Sequence, residues 1–171
     1  MGTINSLPEF IEKLDESEAN SFPRIIKSLA IPNSDFEKYA TWKEDRYTRN
    51  CIVRTETFEL ILLCWNIKQE TPIHEHGGQK CWVYQIDGEV EEKRYQSDES
   101  DNLNVTSSMK LTAGSVTYMD DSMGYHTLTN LENKRAMTLH IYVKPIDSCE
   151  VFCNKAEAFI TKDLEYDSFK K

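Results

Sequence analysis

From Cys51 onward the chain is a succession of short β-branched, aromatic and aliphatic runs, each ended by turn residues. The runs fall at 51–54, 58–66, 80–86, 89–95, 104–111, 115–119, 125–131, 135–143 and 150–153. Many short strands with turn signals between them point to an all-β sandwich or barrel. Small barrels of this kind hold one ligand or metal in the mouth. Asp87-Gly88 reads as a hairpin turn joining 81–86 to 89–95. Ahead of the strands the texture is helical. Leu7, Phe10, Ile11 and Leu14 recur at helix spacing, and Ser6-Leu7-Pro8-Glu9 reads as a capping box. A second helix follows Ser21 and Pro23, and a third begins at Asn33 or Ser34. The expectation is one mainly β domain over 1–171: a helical cap over about 1–45, a barrel over about 46–155 and a tail over 156–171.

A chain of 171 residues with 39% hydrophobic and 29% charged residues can bury a sizeable core. Its net charge of −9, from 29 acids and 20 bases, argues against nucleic acid or an anionic membrane as a partner. No apolar run approaches the length of a membrane span, and the first residues carry neither a basic n-region nor an apolar h-region. Met1-Gly2-Thr3-Ile4-Asn5-Ser6 fits a loose myristoylation template, but Ser6 fits a helix cap better and no polybasic patch supplies a second anchor. The five cysteines, Cys51, Cys64, Cys81, Cys149 and Cys153, are odd in number and form no CxxC pair. Free thiols in a reducing compartment fit better than a disulfide framework. A cytoplasmic monomer is the expectation.

The four histidines, His74, His76, His126 and His140, all lie in the strand-rich part. In a strand, residues two apart share a face, so His74-Glu75-His76 would send two imidazoles into the interior together. Burying them without partners is costly, and a metal is the economical partner. His126 offers a third ligand.

The spacing resembles a superfamily. His74-x-His76, four residues, Cys81, six residues, Gly88 follows the first cupin motif, with Cys81 where many cupins keep a glutamate ligand. Gly114 through His126 to Asn130 resembles the second motif, with a gap one residue longer and Asp120 where proline is usual. Three neutral imidazoles leave a metal's charge uncompensated and open positions beside it, which suits an anionic substrate. More closely, the chain resembles the cysteine dioxygenases, the thiol dioxygenase family within the cupins. The resemblance rests on Tyr47-Thr48-Arg49-Asn50, Leu62-Leu63-Cys64-Trp65, Ile73-His74-Glu75-His76 with Cys81, Gly124-Tyr125-His126, and Leu139-His140-Ile141-Tyr142 leading to Pro145-Ile146-Asp147-Ser148-Cys149.

That resemblance implies a small jelly-roll β-barrel with a short helical cap, and a single Fe(II) bound by His74, His76 and His126. It implies oxidation of L-cysteine by O2 to cysteine sulfinic acid, a step of cysteine catabolism and sulfur metabolism. Arg49 would hold the substrate carboxylate and Tyr47 would lie near it. Tyr142, Cys81 and His140 would be catalytic, with Thr138, His140 and Tyr142 in a hydrogen-bonded row. Cys81 and Tyr142 match the family's thioether cross-link, and Cys149 matches a cysteine at the pocket mouth. The family often has Ser-Pro-Pro with a cis bond after the tyrosine. Here the chain reads Val143-Lys144-Pro145, where a cis bond without proline costs about 3–4 kcal/mol.

Taken singly, His140 is more often a satisfied core histidine, Cys81 a small buried hydrophobe and Arg49 a packing arginine. The competing functions are a dioxygenase for 3-mercaptopropionate or cysteamine, and a non-oxygenase zinc or binding cupin. Relatives preferring mercaptopropionate tend to carry glutamine in place of the arginine, so Arg49 favours cysteine.

Overall fold

A computed structural model describes residues 2–99 and 102–169. Helix α1 (Leu7–Asp15) opens on Ser6, whose Oγ accepts from the Glu9 amide at 3.3 Å. The Glu9 carboxylate reaches back to the Asn5 amide at 3.1 Å, one residue beyond the N-cap amide that a capping box would use. A 3₁₀ turn (Ala19–Ser21), α2 (Phe22–Ile26) and α3 (Ser34–Glu37) complete the helical part.

The strands are β1 (Thr48–Arg54), β2 (Phe58–Trp65), β3 (Cys81–Asp87), β4 (Glu89–Ser97), β5 (Leu103–Thr112), β6 (Val116–Met119), β7 (Tyr125–Thr129), β8 (Ala136–Val143), β9 (Ser148–Cys153), β10 (Ala158–Asp163) and β11 (Ser168–Phe169). One sheet has six strands in the order β11-β1-β2-β8-β3-β6. The other layer joins β5-β4-β7 to β9-β10 through residues 71–75. His74 bridges His126 on one side and Val151 on the other. Hydrogen bonding does not run round into a closed cylinder, so the two layers face each other as a sandwich.

β2 is an unbroken apolar run apart from Glu59, and every residue in it is buried. That is the mark of a strand covered on both faces. Leu60, Leu62 and Cys64 pack under Phe10, Phe22, Ile25 and Phe36 of the helical cap. Ile61, Leu63 and Trp65 face the interior with Val83, Val90, Leu128 and Val151.

The hairpin expected at Asp87-Gly88 does not form. β3 pairs with β8 and β6, while β4 pairs with β5 and β7. Both edges of β3 are already filled, so the chain leaves for the opposite sheet. Gly88, at φ +71°, makes that step, and a Cβ there would lie 2.7 Å from the Arg135 carbonyl oxygen. Residues past 155 enter the sheets as well: β10 pairs antiparallel with β9, and β11 lies parallel to β1. The described peptide bonds are trans, and after β8 the chain turns at Lys144 with φ +69°.

Candidate metal centre

His74 and His76 sit on an irregular extended stretch between β2 and β3, and His126 sits on β7. The strand expected around the first pair is reduced to single bridges at His74. Alternation survives: both imidazoles turn inward and Glu75 turns out. Glu75 accepts from the Gly77 amide at 2.7 Å and the Glu150 amide at 2.6 Å. The Asp121 carboxylate accepts from the His76 amide at 2.8 Å and the Gly78 amide at 2.5 Å. The stretch is also tied to β7, because the His74 and His126 main chains exchange bonds of 3.1 and 3.0 Å.

One ligand atom from each of His74, His76 and His126 lies within 4.8 Å of the others. His74 Nδ1 is 3.0 Å from the Pro72 carbonyl and His126 Nδ1 is 2.8 Å from Glu92 Oε1. Each bond places the proton on Nδ1 and leaves Nε2 as the donor atom. His126 Nε2 and both nitrogens of His76 are buried with no partner among the described residues. Unpaired buried polar atoms are expensive unless something binds them. Burial pushes His74 down to about 4 and carries His76 and His126 well below their ordinary value. Three neutral imidazoles with converging lone pairs fit a divalent transition metal.

Glu92 went unread in the sequence. β4 alternates, so Val90, Glu92 and Arg94 share the inward face. Glu92 is fully buried, and besides His126 it accepts from Thr117 Oγ1 at 2.8 Å and Arg94 Nη2 at 3.3 Å. Burial pushes its carboxyl up, and Thr117 and Arg94 oppose that. An inward carboxylate on a strand was the available signal, since it must have a partner.

The wall beside the histidines comes from β8 and its neighbours. Thr138, His140 and Tyr142 share a face. The register sets Thr138 opposite Gln85, His140 opposite Val83 and Tyr142 opposite Cys81. Trp65 Nε1 donates to Thr138 Oγ1 at 3.0 Å, and Thr138 Oγ1 is 3.1 Å from His140 Nε2. The row therefore runs Trp65–Thr138–His140. It does not continue by a hydrogen bond to Tyr142, whose ring centroid is 6.3 Å from that of His140. The Tyr142 hydroxyl faces Arg49 and Cys81 instead. Burial pushes both the Cys81 thiol and the Tyr142 phenol up, which keeps each protonated.

Arg49, on β1, points into the same interior. Its Nε and Nη2 are buried without a partner among the described residues. Tyr47 stacks on Trp65 with centroids 4.8 Å apart. A small cavity is lined by Tyr47, Arg49, His74, His140, Tyr142 and Cys149 among others. His76 and His126 are fully buried. Cys51, Cys64 and Cys153 stay outside the lining, and all five cysteines are unpaired.

A two-layered β-sandwich carrying three inward imidazoles defines a three-histidine cupin. The chain belongs to the cysteine dioxygenase type I family, whose family model matches residues 2–155, and by that membership it is a thiol dioxygenase. It is 28% identical over 142 residues to human cysteine dioxygenase type 1, covering 81% of this chain and 71% of that one. Against the zebrafish (Danio rerio) protein of the same name it is 27% identical over 161 residues, covering 88% and 79%. Among solved structures, its fold is similar to a double-stranded β-helix protein of Klebsiella pneumoniae, with TM-score 0.52 and 16% identity over 63% of this chain and 84% of that one. It is also similar to the protein TT1209 of Thermus thermophilus, with TM-score 0.55 and 18% identity over 65% and 96%.

Proposed function

We propose that the chain oxidises L-cysteine with O2 to cysteine sulfinic acid, using one ferrous ion held by His74, His76 and His126. The observation that carries the substrate choice is the side-on pair of free guanidinium nitrogens, Nε and Nη2 of Arg49, which lines the same cavity as His74. That pair takes a carboxylate in two parallel bonds, which a lysine could not do. A small amino acid anchored there presents its thiol and amine toward His74 across the cavity.

When bound by His74, His76 and His126, the ferrous ion would supply the redox chemistry by which dioxygen oxidises the thiol. The protein's own groups do the rest. Arg49 fixes the carboxylate and balances its charge. Tyr142, held protonated by burial, offers an O–H donor at the polar end of the cavity. Thr138 fixes the His140 ring. Tyr47 lines the cavity and is backed by Trp65, on which it stacks. Cys81 lies where a thioether to the Tyr142 ring can form. Making that C–S bond removes two hydrogens, and dioxygen is the oxidant that takes them. The five unpaired cysteines fit a reducing compartment such as the cytoplasm.

The test is anaerobic purification, loading with ferrous iron, then addition of L-cysteine and oxygen. Cysteine sulfinate should appear by mass spectrometry with matching oxygen uptake. Absence of sulfinate from the iron-loaded protein overturns the reading. Arg49→Gln should raise KM for L-cysteine and move preference toward 3-mercaptopropionate. Tight stoichiometric zinc with no thiol oxidation would instead favour a non-oxygenase cupin.

A further inference from the structure

The last described residues fold back over the Arg49 end of the cavity. The Leu164 amide donates to the Asp147 carbonyl at 2.8 Å, and the Tyr166 hydroxyl bonds the buried Glu59 carboxylate. Asp167 follows, and it grips both main-chain groups of Arg49. Its amide donates to the Arg49 carbonyl at 2.7 Å, and its Oδ2 accepts from the Arg49 amide at 2.9 Å. The same carboxylate is held by Arg46 at 2.9 and 2.6 Å and by Lys43 at 2.7 Å, and its side chain is 4% exposed.

All of this lies beyond residue 155, where the family match ends. It matters because of where Arg49 sits. In the β1–β2 ladder Arg49 stands opposite Leu63, but its own N–H and C=O point away from β2. On that outer side, among the described residues, β1 is paired by the short β11, at Asn50 and Cys51. Without Asp167 both main-chain groups of Arg49 would be unpaired at a sheet edge. The guanidinium keeps two nitrogens free and is held at its tip by the Tyr142 hydroxyl, so its aim depends on the main chain that carries it as well. Arg46 and Lys43 complete the arrangement: they answer the charge of Asp167 from outside, so the carboxylate does not turn onto the guanidinium.

We propose that Asp167 is a positioning residue, fixing the Arg49 backbone and thereby aiming the guanidinium at the substrate carboxylate. This rests on Arg49 being the carboxylate site.

The test uses the full-length iron-loaded enzyme and separates KM from kcat for L-cysteine. Asp167→Ala should raise KM about tenfold, the scale of losing a buried hydrogen bond, with kcat within about twofold and iron content unchanged. Asp167→Asn, which keeps an acceptor for the Arg49 amide, should recover most of that loss. A surface pair, Lys43→Met with Arg46→Met, frees the Asp167 carboxylate to compete for the guanidinium. It should also raise KM at constant kcat, and it keeps the question open to decision if Asp167→Ala does not fold. An unchanged KM in Asp167→Ala, or a fall in kcat with KM constant in any of these variants, overturns the proposal. Arg49→Ala is run alongside. If Arg49→Ala leaves KM unchanged, the carboxylate reading falls and the proposal with it. If Arg49→Ala raises KM and the Asp167 and surface variants do not, only the role of Asp167 falls.

Discussion

Cys81 and Tyr142 are direct cross-strand partners in the β3–β8 ladder, and both are almost completely buried. Partners on one face of an antiparallel pair stand close enough for their side chains to touch. A thioether between them therefore needs no movement of the backbone. Protein purified after aerobic turnover should run as two bands on a denaturing gel, and Cys81→Ala as one. Mass spectrometry should find the linked peptides two hydrogens lighter than their sum. A single unlinked species after prolonged turnover would remove the cross-link.

Glu92 should matter to the metal although it never touches it. It holds the His126 ring through Nδ1 and sits between that ring and Arg94. Partners of this kind set both the tautomer and the donor strength of a ligand imidazole. Glu92→Gln should weaken metal affinity about ten- to hundredfold with the fold retained. Competition against a coloured chelator, beside a circular dichroism spectrum, measures both.

The Asp167 cluster predicts a specific acid sensitivity. Burial alone would raise the Asp167 carboxyl, but Arg46, Lys43 and the Arg49 amide outweigh it and bring it down to about 2 from an ordinary value of 3.8. A depressed carboxyl stabilises the folded state at pH above its unfolded value, and that contribution is lost as the pH falls toward 2. Urea midpoints measured between those two values should fall with acidification more steeply in the wild type than in Asp167→Asn. Parallel slopes would show that the cluster carries no such linkage.

Gly88→Ala should destabilise the sandwich. The position needs φ +71°, and the added carbon would meet the Arg135 carbonyl and Ala136 Cβ at 2.7 and 2.8 Å. A loss of about 1–3 kcal/mol is expected from the backbone conformation alone, read as a lower melting temperature. A melting curve identical to the wild type would contradict the crossing geometry.

The histidine cluster could be read from the chain because its signal is local. The two-residue spacing of His74 and His76 forces a shared side whether or not a regular strand forms. The pairing at Gly88 could not be read that way. Asp-Gly between alternating runs is a strong local turn signal, but partners are decided by which sheet edges remain free, and β8 and β6 occupy both edges of β3. Glu92 was hidden for another reason. In the run Glu89-Val90-Glu91-Glu92-Lys93-Arg94 its charge looks like one of several on a solvated face. Asp167 was beyond local reasoning altogether, since Arg49 and Arg46 lie 118 and 121 positions earlier and Lys43 earlier still.

β2 presents Leu60 and Leu62 to the helices and Leu63 and Trp65 to the inner core around the reaction chamber. One strand thus answers to two separate selective pressures, sorted by the parity of its residue numbers. Changes on the even side can drift with the helices and alter thermal resistance while the chemistry stays as it was. Changes on the odd side are constrained by the shape of the reactants.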